Sequence, residues 1–405
     1  MIDSLTLDFA NQHADDDVQQ LALQAARWPG IDLLQAIDQI RGHRTARIKL
    51  PSWAAVPGIV YPPHLSMEQC SSEQTAVYKA NIAQRLGGES FVDLTGGFGV
   101  DFAFISQGFK KAVYVEQQAH LCEVARHNFG LLGLSQARVM CVDSIAFLHE
   151  MEPASLIFVD PARRNEYGGK AIAISDCTPD IRQIEVELLE KATHVLIKLS
   201  PMLDWHKAVA DLESIDRVVD EVHIVAVKNE CKELLLMLSK GGKHKNKPRQ
   251  VLCVNDGSVF SYIEDDETKS SLRLFEAEIH SGMHLYEPHS AVMKAGCFGL
   301  LSNKFNVESL AHDSHLFVSE DVVTGFPGRH FRINEVVSMN KKVLKKVFSY
   351  IRQANIAVRN FPLSVAELRR KLRLKDGGDI YLFATTDVVG RHVLLICSKM
   401  GRGSV

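Results

Sequence analysis

The spacing of hydrophobic positions changes near residue 90 and divides the chain into two kinds of pattern. Before it, segments such as LALQAARW and LLQAIDQIR repeat their apolar residues at helical intervals. The pattern predicts a helical region over residues 1–85, in which Ser71 or Ser72 caps the last helix. After residue 90, short apolar runs alternate with helical stretches, which is typical of an α/β domain.

Six apolar runs after residue 90 have the length and composition of buried strands. They are SFVDL, AVYVE, RVMCVD, SLIFVD, HVLIKLS and VHIVAV. Helical segments between most of them predict a parallel, Rossmann-like sheet. A seventh run, KNECKELLLMLSK, follows the sixth too closely for a crossover helix, so we expect it to lie antiparallel to its neighbour.

The C-terminal part of the chain mixes helices and strands without the βαβ rhythm. We expect a small ferredoxin-like α+β domain in which RLFEAEI is a strand and HSAVMKAGCFGLL is one helix. The last module contains the helix NKKVLKKVFSYIRQ and a second helix that Ser364 and Glu367 open with a capping box. The predicted domains are 1–85, 86–245, 246–328 and 329–405.

Charge is unevenly distributed along the chain. The formal net charge is −3, yet residues 329–375 contain 13 Lys or Arg and two acids. Such a segment favours a polyanionic partner, although a solvated helical surface is the simpler interpretation.

Composition excludes several classes of protein. No apolar run is long enough to span a bilayer, and the acidic N-terminus lacks the features of a signal peptide. The eight cysteines form no CxxC pair, and the 17 histidines include no HExxH motif. We therefore expect a cytoplasmic protein that binds neither membrane nor metal.

The stretch FVDLTGGFGVD, residues 91–101, is a glycine-rich loop between a predicted strand and a helix. Such loops bring backbone N–H groups close to a ligand. A dinucleotide fingerprint places a third glycine where this chain has Phe102, which disfavours an NAD enzyme. The P-loop pattern is absent.

S-adenosylmethionine (SAM) fits the loop better than a dinucleotide. Its ammonium, ribose and adenine groups need polar partners at three successive strand ends. The candidates, in chain order, are Asp93, Gly97, Gly99, Glu116 and Asp143. Asp101 is compatible with two roles, which are facing the cofactor and capping the helix.

Several motifs together resemble the class I SAM-dependent methyltransferases. DLTGGFG resembles the first motif of that family, with Thr95 where glycine is more usual, and CSSEQTA resembles a segment that closes over the SAM carboxylate. EPHSAVMKAG, NIAVRNFPLS and LKDGGDIYLF resemble a bacterial family with a C-terminal THUMP-like domain. The resemblance implies that SAM is held by Ser72, Gln74, Asp93, Thr95, Gly97, Gly99, Glu116, Asp143, Ser144 and Asp160.

VDPARR resembles the fourth motif of amino-group methyltransferases, which implies that Asp160, Pro161 and Arg163 are catalytic. Ala162 replaces the second proline of that motif, and Arg163 replaces its aromatic residue. Tyr167 or Arg163 could stack on a base instead, while a structural salt bridge is the simpler role for the arginine. DPAR also resembles uracil-C5 RNA methyltransferases, but LIKLSPMLDW lacks their nucleophilic cysteine, and Cys231 is better explained as a buried apolar residue.

The combined interpretation is an RNA methyltransferase that acts on a base nitrogen of structured tRNA or rRNA. THUMP domains bind RNA, so the resemblance and the local charge together imply contacts by Lys341, Lys342, Lys345, Lys346, Arg359, Arg369, Arg370, Lys371 and Arg373. Three alternatives remain: a methyltransferase of proteins, one of small molecules, and an RNA-binding protein without catalysis. The sequence leaves the oligomeric state open.

Overall fold

The computed structural model describes residues 2–163, 173–213, 217–240 and 248–401. The chain forms two compact units, Met1–Val222 with Lys232–Lys247 and His223–Cys231 with Pro248–Val405. We call them the first and the second unit. The predicted four-domain division stays a prediction.

The N-terminal region of the first unit is helical, as the spacing of its apolar residues predicts. Ser72 rather than Ser71 caps the last helix, because its side chain accepts a hydrogen bond from the Thr75 N–H. That helix ends at Gly87, where φ is 70°. The helices are α1 (Ser4–Gln12), α2 (Val18–Leu23), α3 (Leu33–Lys49), α4 (Pro51–Ala54), α5 (His64–Gln69) and α6 (Glu73–Leu86), with a 3₁₀ turn at Ala25–Arg27.

All six predicted strands of the α/β domain are present in the structure. Among the described residues, eight strands begin in the first unit: β1 (Ser90–Asp93), β2 (Lys111–Glu116), β3 (Ala137–Cys141), β4 (Ala154–Val159), β5 (Ala162–Arg163), β6 (Cys177–Thr178), β7 (Ala192–Leu199) and β8 (Val219–Val227). A ninth strand, β9 (Glu230–Ser239), begins in the second unit and continues in the first. In the described parts of the chain, the short strands β5 and β6 pair only with each other. The other seven lie side by side in a nine-stranded sheet, in the order β8-β9-β7-β4-β1-β2-β3.

Five strands of this sheet are parallel, and β9 reverses the direction. β1 pairs in parallel with β2 and β4, while β2 pairs with β3 and β4 with β7. β9 pairs antiparallel with β7, which confirms the predicted seventh strand. Lys228 and Asn229 make the tight turn from β8 to β9, and both have positive φ, as a two-residue hairpin turn requires.

Three helices in this part of the first unit begin at an aspartate that caps them. Asp143, Asp180 and Asp204 accept hydrogen bonds from backbone N–H groups in the first turns of their helices. Phe102 is fully buried and stacks on Phe91 and Phe129, so it fills the helix–sheet interface. The helices are α7 (Val100–Ser106), α8 (Ala119–Leu131), α9 (Ser144–Glu150), α10 (Ile181–Lys191) and α11 (Trp205–Leu212), with a 3₁₀ turn at Ile174–Asp176.

The second unit contains a β-hairpin and a seven-stranded sheet. The hairpin is β10 (Gln250–Asn255) and β11 (Ser258–Ile263), and β10 lies beside β8. The sheet has the order β13-β14-β12-β15-β18-β17-β16. Its strands are β12 (His284–Pro288), β13 (Glu308–Ser309), β14 (Phe317–Ser319), β15 (Gly328–Ser338), β16 (Asn355–Arg359), β17 (Ile380–Thr386) and β18 (His392–Lys399).

Five helices belong to the second unit, and one of them confirms a predicted cap. Ser364 and Glu367 bond reciprocally at the start of the last helix. The helices are α12 (Glu264–Thr268), α13 (Ser290–Ala295), α14 (Phe298–Phe305), α15 (Lys341–Val347) and α16 (Val365–Leu372).

Three local predictions for the second unit are wrong. HSAVMKAGCFGLL forms two helices because Gly296 adopts a left-handed conformation with φ 80° and ends the first. RLFEAEI forms no strand and makes a single bridge from Leu274 to Ser309. The predicted helix over NKKVLKKVFSYIRQ stops at Val347, although Ile351 beyond it is still buried.

Candidate functional site

The glycine loop after β1 requires glycine for two separate physical reasons. Gly97 and Gly99 have φ values of 56° and 84°, which side chains with a Cβ rarely adopt. A Cβ on Gly96 would lie 2.2 Å from the Tyr114 ring, and one on Gly99 would lie 2.7 Å from the Phe129 ring. The loop therefore packs its backbone directly onto aromatic rings while it turns into α7.

Glu116, at the end of β2, holds the glycine loop in place. Its Oε2 accepts a hydrogen bond from the Gly97 N–H at 3.0 Å, and its Oε1 accepts one from the Gln118 N–H at 2.8 Å. Tyr114 donates its hydroxyl hydrogen to the Gly97 carbonyl. A carboxylate has about four lone-pair positions, so Glu116 retains acceptor capacity for a ligand's hydroxyl groups.

Asp143 follows β3 and is exposed. Its Oδ1 accepts hydrogen bonds from the Ile145 and Ala146 N–H groups at 3.0 and 2.9 Å. It therefore caps α9, and Ser144 is the first residue of that helix. The ends of β1, β2 and β3 thus bring together Asp93, Glu116 and Asp143 in the predicted order, since parallel neighbours end at one sheet edge.

Thr95 joins the glycine loop to the end of β4. Its N–H donates to Asp93 Oδ1 at 2.9 Å, and its Oγ1 accepts from the Asp160 N–H at 2.6 Å. A glycine, usual at this position in the motif, could not make the second bond. The unusual threonine therefore fixes the backbone of the candidate catalytic residue relative to the cofactor loop.

A buried ion cluster lies beside this loop, and Lys79 of α6 is at its centre. Lys79 is fully buried, and its Nζ lies 3.1 Å from Asp101 Oδ1 and 2.5 Å from Glu233 Oε2. Ser71 donates its hydroxyl hydrogen to Asp101 at 2.7 Å. Asp101 is therefore a member of this buried cluster and does not cap α7, while its other predicted role, facing the cofactor, stays a prediction.

Lys198 of β7 links the cluster to Asp160. Its Nζ lies 2.6 Å from Asp160 Oδ2 and 3.4 Å from Asp101 Oδ2, and it donates to Ser71 Oγ at 3.1 Å. The Asp160 side chain is 37% exposed, and its Oδ1 has no partner among the described residues. One oxygen of Asp160 is thus fixed by an ammonium group, which sets the orientation of the carboxylate.

Burial and charge shift the carboxyl groups of the site in different directions. Burial raises the pKa of Asp93 well above its ordinary value, and burial also raises the pKa of Asp160 despite the opposing charge of Lys198. For Asp101, burial is outweighed by Lys79 and Lys198, so its pKa is lowered. For Lys198, burial is outweighed by Asp160 and Asp101, so its pKa is raised.

Replacing Asp93 with asparagine is expected to raise the melting temperature of the protein without ligand at neutral pH. A raised pKa in the folded state means that the Asp93 contribution to stability is full below the unfolded pKa and is lost as pH rises through the folded pKa. Asparagine keeps an oxygen for the Thr95 N–H but carries no charge. We expect a gain of about 2–4 °C, equivalent to about 1 kcal/mol in a domain of this size.

Calorimetry of both proteins between pH 5 and pH 8, roughly the range in which native proteins are most stable, measures this effect. The difference between wild type and Asp93→Asn should shrink as pH falls. Asp143→Asn is the matched control, because asparagine caps a helix as well as aspartate does. A lower melting temperature for Asp93→Asn than for the wild type at every pH would contradict the raised pKa of Asp93.

The structure places the remaining predicted site residues as follows. Ser72 is half-buried at the start of α6, Gln74 is exposed, and Pro161 is buried directly after Asp160. The backbone of Arg163 pairs with Cys177, while its side chain and all of Tyr167 lie outside the described residues.

Seven of the nine predicted RNA-binding residues are exposed, and two are held in ion pairs. Arg359 Nη2 lies 2.9 Å from Glu287 Oε1, and Arg369 Nη2 lies 2.5 Å from Asp376 Oδ1. The exposed residues are Lys341, Lys342, Lys345, Lys346, Arg370, Lys371 and Arg373.

Four members of the site were missed by the sequence analysis: Ser71, Lys79, Lys198 and Glu233. A signal was present for Lys198, which is a charged residue inside the apolar strand HVLIKLS. Lys79 and Glu233 each adjoin an apolar run in the same way. Lysine and glutamate are almost never fully buried unless they are paired, so such positions indicate ion-pair partners.

Comparison with known proteins identifies both C-terminal modules. Residues 284–327 match the model of a ferredoxin-like domain, and residues 328–399 match the model of a THUMP domain-like family. An uncharacterized S-adenosylmethionine-dependent methyltransferase of Mycobacterium tuberculosis (strain H37Rv) is 21% identical over 346 residues, which cover 84% of this chain and 85% of the relative.

A solved structure resembles the whole chain. This crystal structure, of a Porphyromonas gingivalis W83 protein provisionally named a methyltransferase, is 31% identical with a TM-score of 0.85 and covers 99% of this chain and 100% of its own. The chain belongs to the class I SAM-dependent methyltransferases with a C-terminal THUMP-like domain. The predicted fold class, cofactor and enzyme class are therefore confirmed. Of the helices that the structure describes, none could cross a membrane.

The residues of the methyltransferase site fit SAM by their charge. Around the glycine loop, four buried or half-buried carboxyl groups, Asp93, Asp101, Asp160 and Glu233, face the two ammonium groups of Lys79 and Lys198. The cationic ammonium and sulfonium groups of SAM complement this surplus of acids. SAM supplies an electrophilic methyl group when it is bound. The glycine loop and Glu116 would hold its amino-acid and ribose parts.

Proposed function

We propose that this methyltransferase modifies a base nitrogen, an exocyclic amine, of structured tRNA or rRNA. One observation carries the proposal. Asp160 follows directly on β4, its backbone is fixed to the cofactor loop through Thr95, and one of its carboxylate oxygens has no partner in the part of the chain that the structure describes. A carboxylate in that position suits a substrate that loses a proton from nitrogen.

The chemistry of an aromatic amine explains why such a carboxylate is needed. The amine is a weak nucleophile, because its lone pair is delocalised into the ring. Asp160 Oδ1 would accept an amine hydrogen as the nitrogen becomes tetrahedral, and the Pro161 carbonyl could accept the second. Lys198 keeps Oδ2 occupied and so orients Oδ1 toward the substrate. Most of the rate enhancement would come from holding the amine in line with the methyl group.

RNA as the substrate is supported by the second unit. The THUMP-like match over residues 328–399 contains all nine predicted RNA-binding residues, and seven of them are exposed. The four lysines of α15 lie within two turns of one helix. Phosphate contacts of this kind supply affinity and orientation, while the residues around Asp160 would select the base.

Two rivals predict different behaviour. A methyltransferase of proteins or small molecules should bind RNA weakly, and substitutions in α15 should leave its methyl transfer unchanged. An RNA-binding protein without catalysis should not need the cofactor, yet its glycine loop and strand-end acids are all in place. RNA methylation is therefore the function that the geometry supports best.

Replacing Lys341, Lys342, Lys345 and Lys346 with glutamine is expected to weaken RNA binding about tenfold or more at moderate salt. Each lysine that neutralises a phosphate releases a counterion, so the slope of log K against log salt should fall by about three. Fluorescence anisotropy with bulk tRNA over a salt series measures both quantities.

The matched control removes the same charge from exposed lysines elsewhere, by glutamine at Lys111, Lys207, Lys240 and Lys269. This control should change the affinity and the slope by less than half as much. Equal losses in the two variants would show that α15 makes no special contact and would count against the RNA interface.

The acceptor class is tested by offering the enzyme radiolabelled SAM with three fractions of a strain that lacks it: RNA, protein and small molecules. The proposal predicts incorporation into the RNA fraction that ribonuclease removes. Label that enters only protein or small molecules would overturn it.

A further inference from the structure

A groove of about 880 Å³ lies in the second unit, and none of its lining residues belongs to the methyltransferase site described above. Phe326 of the loop before β15 provides aromatic surface, and Val322 of the same loop and Val259 of β11 add exposed aliphatic surface. We call this the His289 groove, after the histidine that also lines it. Its volume is in the range of small-molecule and cofactor sites.

His289 brings a buried hydrogen-bond donor to the groove wall. The residue is 6% exposed, and its Nδ1 accepts from the Val292 N–H at 3.4 Å as the cap of α13. Since Nδ1 accepts, the neutral ring carries its proton on Nε2. That Nε2–H has no hydrogen-bond partner among the described residues. A buried donor without a hydrogen-bond partner lowers the stability of the folded protein, so we expect a ligand to supply the missing acceptor atom.

The ring of His289 stays neutral at physiological pH, because burial lowers its pKa to about 4. A neutral donor is suited to a neutral acceptor, such as a carbonyl oxygen or ring nitrogen. It is not a group that selects an anion by charge.

The charges at the His289 groove are basic. Among its described lining residues, the charged side chains are Arg329 and Lys399, and no acid lines it. Arg329 binds Glu287, but the same buried carboxylate also accepts from Arg359. Two guanidinium groups thus share one carboxylate, and the local charge remains positive. Arg329 also begins the basic segment 329–375.

We propose that the His289 groove holds one unpaired nucleotide of the RNA substrate. The base would lie against Phe326 with a carbonyl or ring nitrogen accepting from His289 Nε2–H, and a phosphate would lie near Arg329 and Lys399. Aromatic surface, a neutral donor and nearby cations are the groups by which proteins hold unpaired nucleotides. The inference rests on the proposed RNA substrate and extends it to a second contact.

The test compares three variants of the full chain by fluorescence anisotropy with a short single-stranded RNA and a blunt RNA duplex. His289→Asn keeps the helix cap, because asparagine is a good N-cap, but it cannot reach as Nε2 does. Val322→Trp fills the groove at a residue that is already 43% exposed. His312→Asn, at an exposed histidine that does not line the groove, is the matched control.

We expect His289→Asn to weaken binding of the single strand about fivefold, as loss of one hydrogen bond implies, and Val322→Trp to weaken it at least as much. The duplex and the control should show no change. Single-strand binding that both groove variants leave intact would overturn the inference, as would an equal loss for the duplex.

Methyl transfer to cellular RNA, measured with the same preparations, separates this inference from the proposed function. If the wild type methylates RNA while the groove variants bind the single strand normally, only the groove assignment fails. If the wild type transfers no methyl group to RNA, the proposed function fails, and the inference that rests on it fails as well.

Discussion

Replacing Asp160 with asparagine should lower kcat for methyl transfer at least about 100-fold, a loss typical for a group that accepts a proton. The reason is geometric. Lys198 Nζ can only donate, so it selects the amide oxygen at the position of Oδ2. The amide NH₂ group then points to the substrate. Because this group and the substrate amine are both hydrogen-bond donors, no hydrogen bond forms between them.

A double substitution tests this explanation against simple damage. Asp160→Asn with Lys198→Met removes one negative and one positive charge together, and it frees the amide to turn its oxygen toward the substrate. We expect the double variant to recover about tenfold of the lost rate, which corresponds to about 1.4 kcal/mol of barrier. Lys198→Met alone, which leaves Asp160 without its cation, is the comparison.

Single-turnover kinetics at saturating SAM measures the chemical step in all three variants. Calorimetric titration of SAM shows whether the cofactor is still bound. An Asp160→Asn enzyme with near-normal kcat would exclude Asp160 as the acceptor. A double variant slower than Asp160→Asn would contradict the role given to Lys198.

Replacing Lys79 with methionine should lower the melting temperature of the first unit by about 10 °C, equivalent to about 3–5 kcal/mol. Lys79 is fully buried and is the cation that contacts both Asp101 and Glu233. Removing it leaves two buried carboxylates that Lys198 alone must balance. Uncompensated buried charge is among the most destabilising changes a single substitution can make.

The pH dependence of this variant has a definite sign. In the wild type the pKa of Asp101 is lowered, so its contribution is present above the unfolded pKa and is lost as pH falls. Without Lys79 that pKa should rise, so the stability penalty should decrease toward acidic pH. The melting temperatures of wild type and Lys79→Met should therefore converge as the solution is acidified.

The control is the double substitution Lys79→Met with Glu233→Met. Replacing a buried ion pair by apolar groups of similar size is often neutral, so the double variant should regain at least half of the lost melting temperature. Scanning calorimetry measures all three proteins. A penalty that is equal in the single and double variants, and independent of pH, would show that Lys79 matters only through packing.

Much of the fold could be predicted from the sequence because it is encoded locally. Apolar runs separated by helical segments predicted the strands of the parallel sheet, and the two-residue turn at Lys228 and Asn229 required the antiparallel β9. Candidate acids at three strand ends were predicted on the same basis, since parallel strands end at one edge. Wrong predictions were local as well, such as the helix that Gly296 divides.

The buried ion cluster could not be predicted, because its partners are far apart in the sequence. Lys79 and Glu233 are separated by 154 positions, and Lys198 and Ser71 by 127. The position of Lys198 inside an apolar strand indicates that it has an ion-pair partner, but nothing in the sequence shows which residues those partners are. The role of Thr95 was hidden for the same reason, because it bonds to Asp160, 65 positions away.

Charge counting predicted the basic segment but not the use of each residue within it. Arg359 and Arg369 contribute to the local charge like their neighbours, yet both are occupied by carboxylates in the folded protein. The lysines of α15 are exposed instead. Their role in binding RNA stays a prediction, as do the roles of the SAM-binding residues.

Nucleoside mass spectrometry of RNA shows directly whether this enzyme methylates an exocyclic amine of a base. RNA from a strain that lacks the protein is incubated with SAM and either the native enzyme or Asp160→Asn, digested, and compared with standards methylated on ring carbons, ribose oxygens and exocyclic amines. We expect the native enzyme to produce a nucleoside methylated on its exocyclic amine, and Asp160→Asn to produce at least about 100-fold less of it. A methyl group on carbon or on ribose oxygen, or equal product from both enzymes, would contradict this expectation.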